Sequence, residues 1–353
     1  MGPVSEPPNE EVGALVETMA ASEYLSAPRV SADLAAMSAR REHLEEIATG
    51  LWAPCDRSVL VGSGGSYAAM LTAQYILNTV SPFPVHVSTG TDLIWRRPMR
   101  IGPGCAVLFT SFSGETTDIL DALAAVKGTG ARTLAITGRA GSTLDVECDE
   151  SIVYAGNAIY EVPIVAIIRL FAGAGPHPQP WERLLRSVDA LPDALSESLT
   201  NAPATMRTFA EPLAQVEHAY VLGSGPLSPL AYKLSPVLME NVRMGSSFID
   251  TSEFRHGPIE LLERQSPTVI ALLGTDDSRD VSAGVFRFLQ EQGANVHVLD
   301  AADYVVPHPD LAPLVLNSIS QWLVGWMAHQ RGIEDLDDRV YMGKGLLSAG
   351  QWP

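Results

Sequence analysis

Cysteine is scarce in this chain: Cys55, Cys105 and Cys148 are three in 353 residues, without metal-ligand spacing. That excludes a disulfide framework and a thiolate zinc cluster, and the thiols read as small buried hydrophobes. Basic charge is scarce as well. Lysine and arginine number 23 against 41 aspartates and glutamates, for a net charge of −18. A field of that sign repels nucleic acid and anionic membranes, so neither is an expected partner. No apolar run reaches the roughly 20 residues of a membrane-spanning helix. The start Met1-Gly2-Pro3 lacks the basic-then-apolar pattern of a secretory signal, and a cytoplasmic protein is expected.

Apolar material is plentiful. Hydrophobic residues make up 46 % and charged residues 18 %, enough for two cores in a chain too long for one. Residues 1–10 are polar and Pro-rich and read as a tail; helical periodicity then runs from Val12 to Thr49 with a break near Pro28. Short β-branched or apolar runs follow, each leading into Gly/Ser and a helical pattern: Ser58–Val61, Val85–Val87, Ala106–Thr110, Thr133–Thr137 and Ser151–Tyr154. The Pro-rich stretch 173–182 interrupts this order. After a helical segment to about Phe209 it resumes with His218–Leu222, Ser246–Ile249, Thr268–Leu273 and Asn295–Leu299, and a last helix covers about Leu314–Gln330. Strands alternating with helices specify parallel sheets with right-handed crossovers. The fold class is therefore α/β, repeated once along the chain.

Two loops carry chemistry. In Val61-Gly62-Ser63-Gly64-Gly65-Ser66-Tyr67, a dinucleotide fingerprint would need glycine in place of Tyr67, and a phosphate-binding P-loop would need Lys before Ser or Thr. What remains is a strand-to-helix turn whose backbone N–H groups can hold an anion. The second loop, Thr110-Ser111-Phe112-Ser113-Gly114-Glu115-Thr116-Thr117-Asp118, gathers hydroxyls at a helix start without a cation. Helix capping accounts for one hydroxyl but not for Ser111, Ser113, Thr116 and Thr117 together. Neutral donors plus the helix dipole are a way for an acidic protein to bind phosphate.

The pattern Ser-x-Ser-Gly-Glu-Thr after a strand, preceded by the Gly-x-Ser-Tyr loop, resembles the SIS family of phosphosugar isomerases and binders. That family includes the isomerase half of glucosamine-6-phosphate synthase. The resemblance covers roughly residues 30–345. It implies two tandem SIS domains, each a parallel-sheet αβα sandwich, at 28–175 and 206–335. A tail and helix (1–27) would precede them, a linker helix (176–205) would join them, and an active-site loop (336–353) would follow. It also implies that Ser66, Ser111, Ser113 and Thr116 contact the phosphate, with Gly64, Gly65 and Phe112 beside the substrate.

The second half adds Met239-Glu240-Asn241 in a helical stretch and Ser252-Glu253-Phe254-Arg255-His256-Gly257-Pro258, with His256 sixteen residues after Glu240. This is similar to the catalytic segment of double-SIS enzymes. The resemblance implies that glutamate and histidine serve as the acid–base pair, with the histidine reaching the neighbouring subunit's site, hence a homodimer. Arg255 reads as a substrate-orienting residue. Asp337-Asp338-Arg339-Val340-Tyr341-Met342-Gly343-Lys344 resembles the family's closing loop, with Lys344 where the synthase lysine stands.

Departures narrow the choice. Val237 and Lys233 occupy places where the synthase carries a further lysine and glutamate, Pro236 is expected to kink or restart the helix, and no glutamine-hydrolysing domain is expected in residues 1–50. Tyr232–Glu240, Glu253–Pro258 and Arg339–Met342 look most like fructosamine-6-phosphate deglycases. These release glucose 6-phosphate and an amine from a 6-phosphofructose–amine conjugate, with no metal or redox cofactor implied. An aldose–ketose isomerase, a glucosamine-6-phosphate deaminase and a non-catalytic sugar-phosphate sensor remain alternatives.

Overall fold

The computed structural model describes residues 9–96, 101–174 and 179–340. The chain forms two compact units that do not follow the sequence in order. One is Val30–Pro192 with Val340; the other joins the residues up to Arg29 to Asp193–Arg339.

In the first unit five parallel strands, β1 (Arg57–Val61), β2 (Val85–Ser88), β3 (Cys105–Thr110), β4 (Arg132–Thr137) and β5 (Glu150–Val153), lie in the order β2-β1-β3-β4-β5. Every residue of the central β3 is buried, as a strand covered by helices on both faces requires. Val107 and Phe109 pack there with Ile119, Leu123 and Val126 of the helix Thr117–Val126. Because the order reverses between β1 and β3, the loops after those two strands diverge and leave a crevice at their carboxyl ends.

The second unit repeats the plan with β6 (His218–Gly223), β7 (Gly245–Asp250), β8 (Thr268–Leu273) and β9 (Asn295–Asp300), all parallel, in the order β7-β6-β8-β9. Its reversal falls between β6 and β8. The N-terminal helix Asn9–Ala21 belongs to this unit, and its Leu15 and Met19 are buried. They lie against Gly325 of the helix Ala312–Gln330, where a β-carbon would come within 2.9 Å of the Met19 sulfur. Trp322 and Trp326 of that helix are core residues, and the Trp326 indole donates to the Pro203 carbonyl at 2.6 Å.

All nine runs read as strands are strands, within two residues at either end. Cys55 and Cys105 are buried and Cys148 is half-buried. Burial raises all three thiols, Cys148 to about 12, so they remain protonated. No helix among the described residues is long and apolar enough to cross a membrane.

Candidate active site

The two Gly/Ser loops of the first unit occupy the switch point. The β1 loop opens the helix Gly65–Val80, and the β3 loop opens Thr117–Val126. Gly64 has φ +55 and Gly114 φ +68, left-handed turns that a side chain disfavours. At Gly114 a β-carbon would also stand 2.1 Å from Ser142 Oγ. In the β3 loop the Ser111 hydroxyl lies 2.8 Å from Thr116 Oγ1 and 3.4 Å from Ser113 Oγ, so the three converge. Ser111 accepts from the Gly114 N–H at 3.1 Å and Ser113 from the Glu115 N–H at 3.2 Å, which folds the turn around them. Thr116 is the N-cap of its helix, yet its side chain caps no backbone N–H. Capping therefore does not explain the cluster, and the helix start retains donors for an anion.

Ser66 stands in the first turn of Gly65–Val80, half-buried, on the loop across the switch point. The loops are tied together by Ser63, whose hydroxyl donates to Asp118 Oδ2. Neither residue was singled out from sequence, since a contact between loops has no local spacing. Glu115 is structural: its carboxylate accepts from the N–H and hydroxyl of Thr143 at 2.7 and 2.8 Å. Phe112 is packed within the loop, against Gly138 and Tyr154 and under the Arg139 guanidinium at 5.4 Å from the ring centre.

In the second unit the helix Ser228–Val237 contains Pro236 and gives way to a widened, π-type turn, Leu238–Val242. Proline cannot donate the usual bond to the Tyr232 carbonyl, and the widened turn that follows carries Glu240. Arg243 ends it at φ 58, the one non-glycine residue with positive φ among those described. The Glu240 side chain is 53 % exposed, and its Oε2 accepts from Arg339 Nη1 at 3.0 Å.

His256 follows the short turn Glu253–Arg255 and is exposed; Arg255 Nε donates to its Nε2 at 3.1 Å. Gly257, at φ 118, makes the reversal after it. Glu240 precedes β7 and His256 follows it, so the strand separates them. At about 3.3 Å per residue its six residues span roughly 17 Å. Lys344 lies outside the described residues.

With this geometry in view the relatives can be placed. The SIS domain model matches residues 52–171. Fructoselysine 6-phosphate deglycase of Escherichia coli O157:H7 is 30 % identical over 294 residues, covering 82 % of this chain and 86 % of that protein. Fructosamine deglycase FrlB of Bacillus subtilis is 28 % identical over 308 residues, covering 82 % and 92 %. A Bacillus subtilis protein solved as a candidate phosphosugar isomerase superposes with a TM-score of 0.79 at 27 % identity, over 89 % of this chain and 99 % of that one. The C-terminal domain of glucosamine-fructose-6-phosphate aminotransferase from Francisella tularensis shares the fold, at TM-score 0.71 and 19 % identity over 92 % and 94 % of the two chains. The chain belongs to the SIS-domain family of phosphosugar isomerases and deglycases.

Proposed function

We propose that the chain cleaves a 6-phosphofructose–amine conjugate into glucose 6-phosphate and the free amine. The observation that carries this reading is the hydroxyl cluster Ser111, Ser113 and Thr116 at an uncapped helix start beside the β1/β3 switch point. In an acidic protein it offers a phosphate neutral donors and a helix dipole. Ser66, with Gly64 and Gly65, joins it from the β1 loop, which Ser63 ties to Asp118. Phe112 and Arg139 stiffen the turn.

With the phosphate end fixed, the carbonyl end needs an acid–base. A base removes the C1 proton next to the C2 carbonyl while an acid protonates the carbonyl oxygen, giving an enaminol. A proton delivered to C2 leaves an imine at C1, and water adds there and expels the amine. Glu240 and His256 share these transfers; a positioned acid–base of this kind contributes about 10²–10⁴-fold. As the resemblance to double-SIS enzymes implies, the histidine of this pair comes from the second subunit of a homodimer. Arg255, hydrogen-bonded to His256 through its Nε, orients substrate, and Lys344 contributes from the tail.

Purified protein given fructoselysine 6-phosphate should release glucose 6-phosphate and lysine. Turnover of glucosamine 6-phosphate alone would replace the deglycase by a deaminase. Ligand-induced stabilisation without any turnover would leave a sugar-phosphate sensor.

A further inference from the structure

The carboxylate of Glu240 is held by a strap 99 residues away in sequence. Three side chains on or next to its turn reach segment 335–339. Asn241 Nδ2 donates to the Leu336 carbonyl at 3.0 Å and Arg243 Nη2 to the Asp338 carbonyl at 2.7 Å, while Glu240 Oε2 receives Arg339 Nη1. The strap is anchored on its far side as well. Asp337 accepts from the Ser22 hydroxyl at 2.8 Å and the Glu23 N–H at 2.7 Å, and Leu336 is buried.

Arg339 is nine-tenths buried, its guanidinium stacked 4.3 Å from the centre of the Tyr24 ring. Among the described residues its Nε and Nη2 are buried without a hydrogen-bond partner, and its ion pair is with Glu240, through Oε2. Burying a guanidinium that leaves donors idle is unfavourable as pure architecture. Arg243 adds to this: a non-glycine residue kept in a left-handed conformation, with its side chain spent on the strap.

We infer that Arg339 is a positioning residue for Glu240, fixing one carboxylate oxygen so that the other is presented to substrate. The inference rests on the acid–base role proposed for Glu240. Displacing a reacting group by about 1 Å can cost on the order of 10²-fold in rate, which sets the expected effect.

The test uses the full chain and fructoselysine 6-phosphate, comparing Arg339→Met, Arg339→Lys and Glu240→Gln with wild type. Arg339→Met should lower kcat by on the order of 10²-fold with KM within about threefold, and Arg339→Lys should recover part of kcat because the charge returns without the fork. A kcat for Arg339→Met within twofold of wild type, or a rise in KM alone, overturns the positioning role and leaves the proposed function standing. Wild type inactive on the conjugate, or Glu240→Gln fully active, defeats the proposed function and the inference with it. A double-mutant cycle in urea unfolding reads the pair apart from activity and guards against a variant that merely folds poorly. Coupling between Arg339→Met and Glu240→Gln supports the contact, and strict additivity overturns it.

Discussion

The two units share one strand order, yet the carboxyl ends of their sheets carry opposite chemistry. In the first, the loop after β3 presents Ser111, Ser113 and Thr116. In the second, the loop after β8 presents Asp276 and Asp277, with Asp250 at the end of β7. Ser224, after β6, is spent on Asp250 at 2.9 Å, and Arg279 is spent on Asp300 through paired bonds of 2.7 and 2.8 Å. Among the described residues Asp276 Oδ2 is buried with no hydrogen-bond partner. A phosphate would find donors at one edge and carboxylates at the other. Topology provides the crevice; the residues after two strands decide whether an anion can enter it.

The sharpest break in that comparison is Glu240→Gln, which the second unit supplies instead of a phosphate site. It should lower kcat by about 10²–10⁴-fold while glucose 6-phosphate still raises the melting temperature. Loss of that stabilisation together with activity would place Glu240 in binding rather than proton transfer. Next comes the first unit's cradle. Hydrogen bonds to a charged group contribute about 1.5–3 kcal/mol each, so Ser111→Ala with Thr116→Val should raise KM on the order of 10²-fold. An unchanged KM would move the phosphate elsewhere.

Gly114→Ala probes the same loop through its backbone. At φ +68, with Ser142 Oγ in the way, it should destabilise the protein by about 1–3 kcal/mol in urea denaturation. The carboxylate edge should be nearly silent. Asp277→Asn is a substitution of an exposed side chain and should leave KM within about twofold. An effect as large as that of the cradle pair would show that both edges bind substrate.

The smallest effect concerns pH. Burial pushes the Asp300 carboxyl up, but its hydrogen bonds from Arg279 and the Ala302 N–H outweigh this and hold it below the usual carboxylate range. A carboxyl with a lowered folded value adds stability that is present above its unfolded value and lost as pH falls through the folded one. Arg279→Met should therefore destabilise at neutral pH, on the order of 0.5 kcal/mol for a partly exposed pair, and less at about pH 3, below the usual carboxylate value. Equal urea midpoint shifts at both values would refute it. His297, with Phe209 stacked on its edge at 6.0 Å, is lowered by burial, so stability also falls as pH drops below its ordinary 6.5.

Much of the fold was legible because its signals are local. Each β-branched run between Gly/Ser punctuation became a strand, since a strand buried on both faces must be apolar along its length. The hydroxyl loop was legible for the same reason: Ser111, Ser113 and Thr116 lie within six residues of one another, and one turn brings them together. Pro236 announced a disturbed helix but not its form, the widened turn that carries Glu240.

Less legible were contacts between distant segments. Ser63 meets Asp118 across 55 residues, and Arg339 meets Glu240 across 99. The helix Asn9–Ala21 packs with the unit that starts at Asp193, which its own periodicity could not reveal.

The sequence by itself determined which segments are strands, which turns need glycine and where hydroxyls gather, because those depend on neighbours a few residues apart. Only the tertiary structure decided that the helix Asn9–Ala21 packs with the second unit and that a buried Arg339 pairs with Glu240. Such partners are chosen by chain crossings and packing, and nothing in a one-dimensional pattern records which segment a side chain will find.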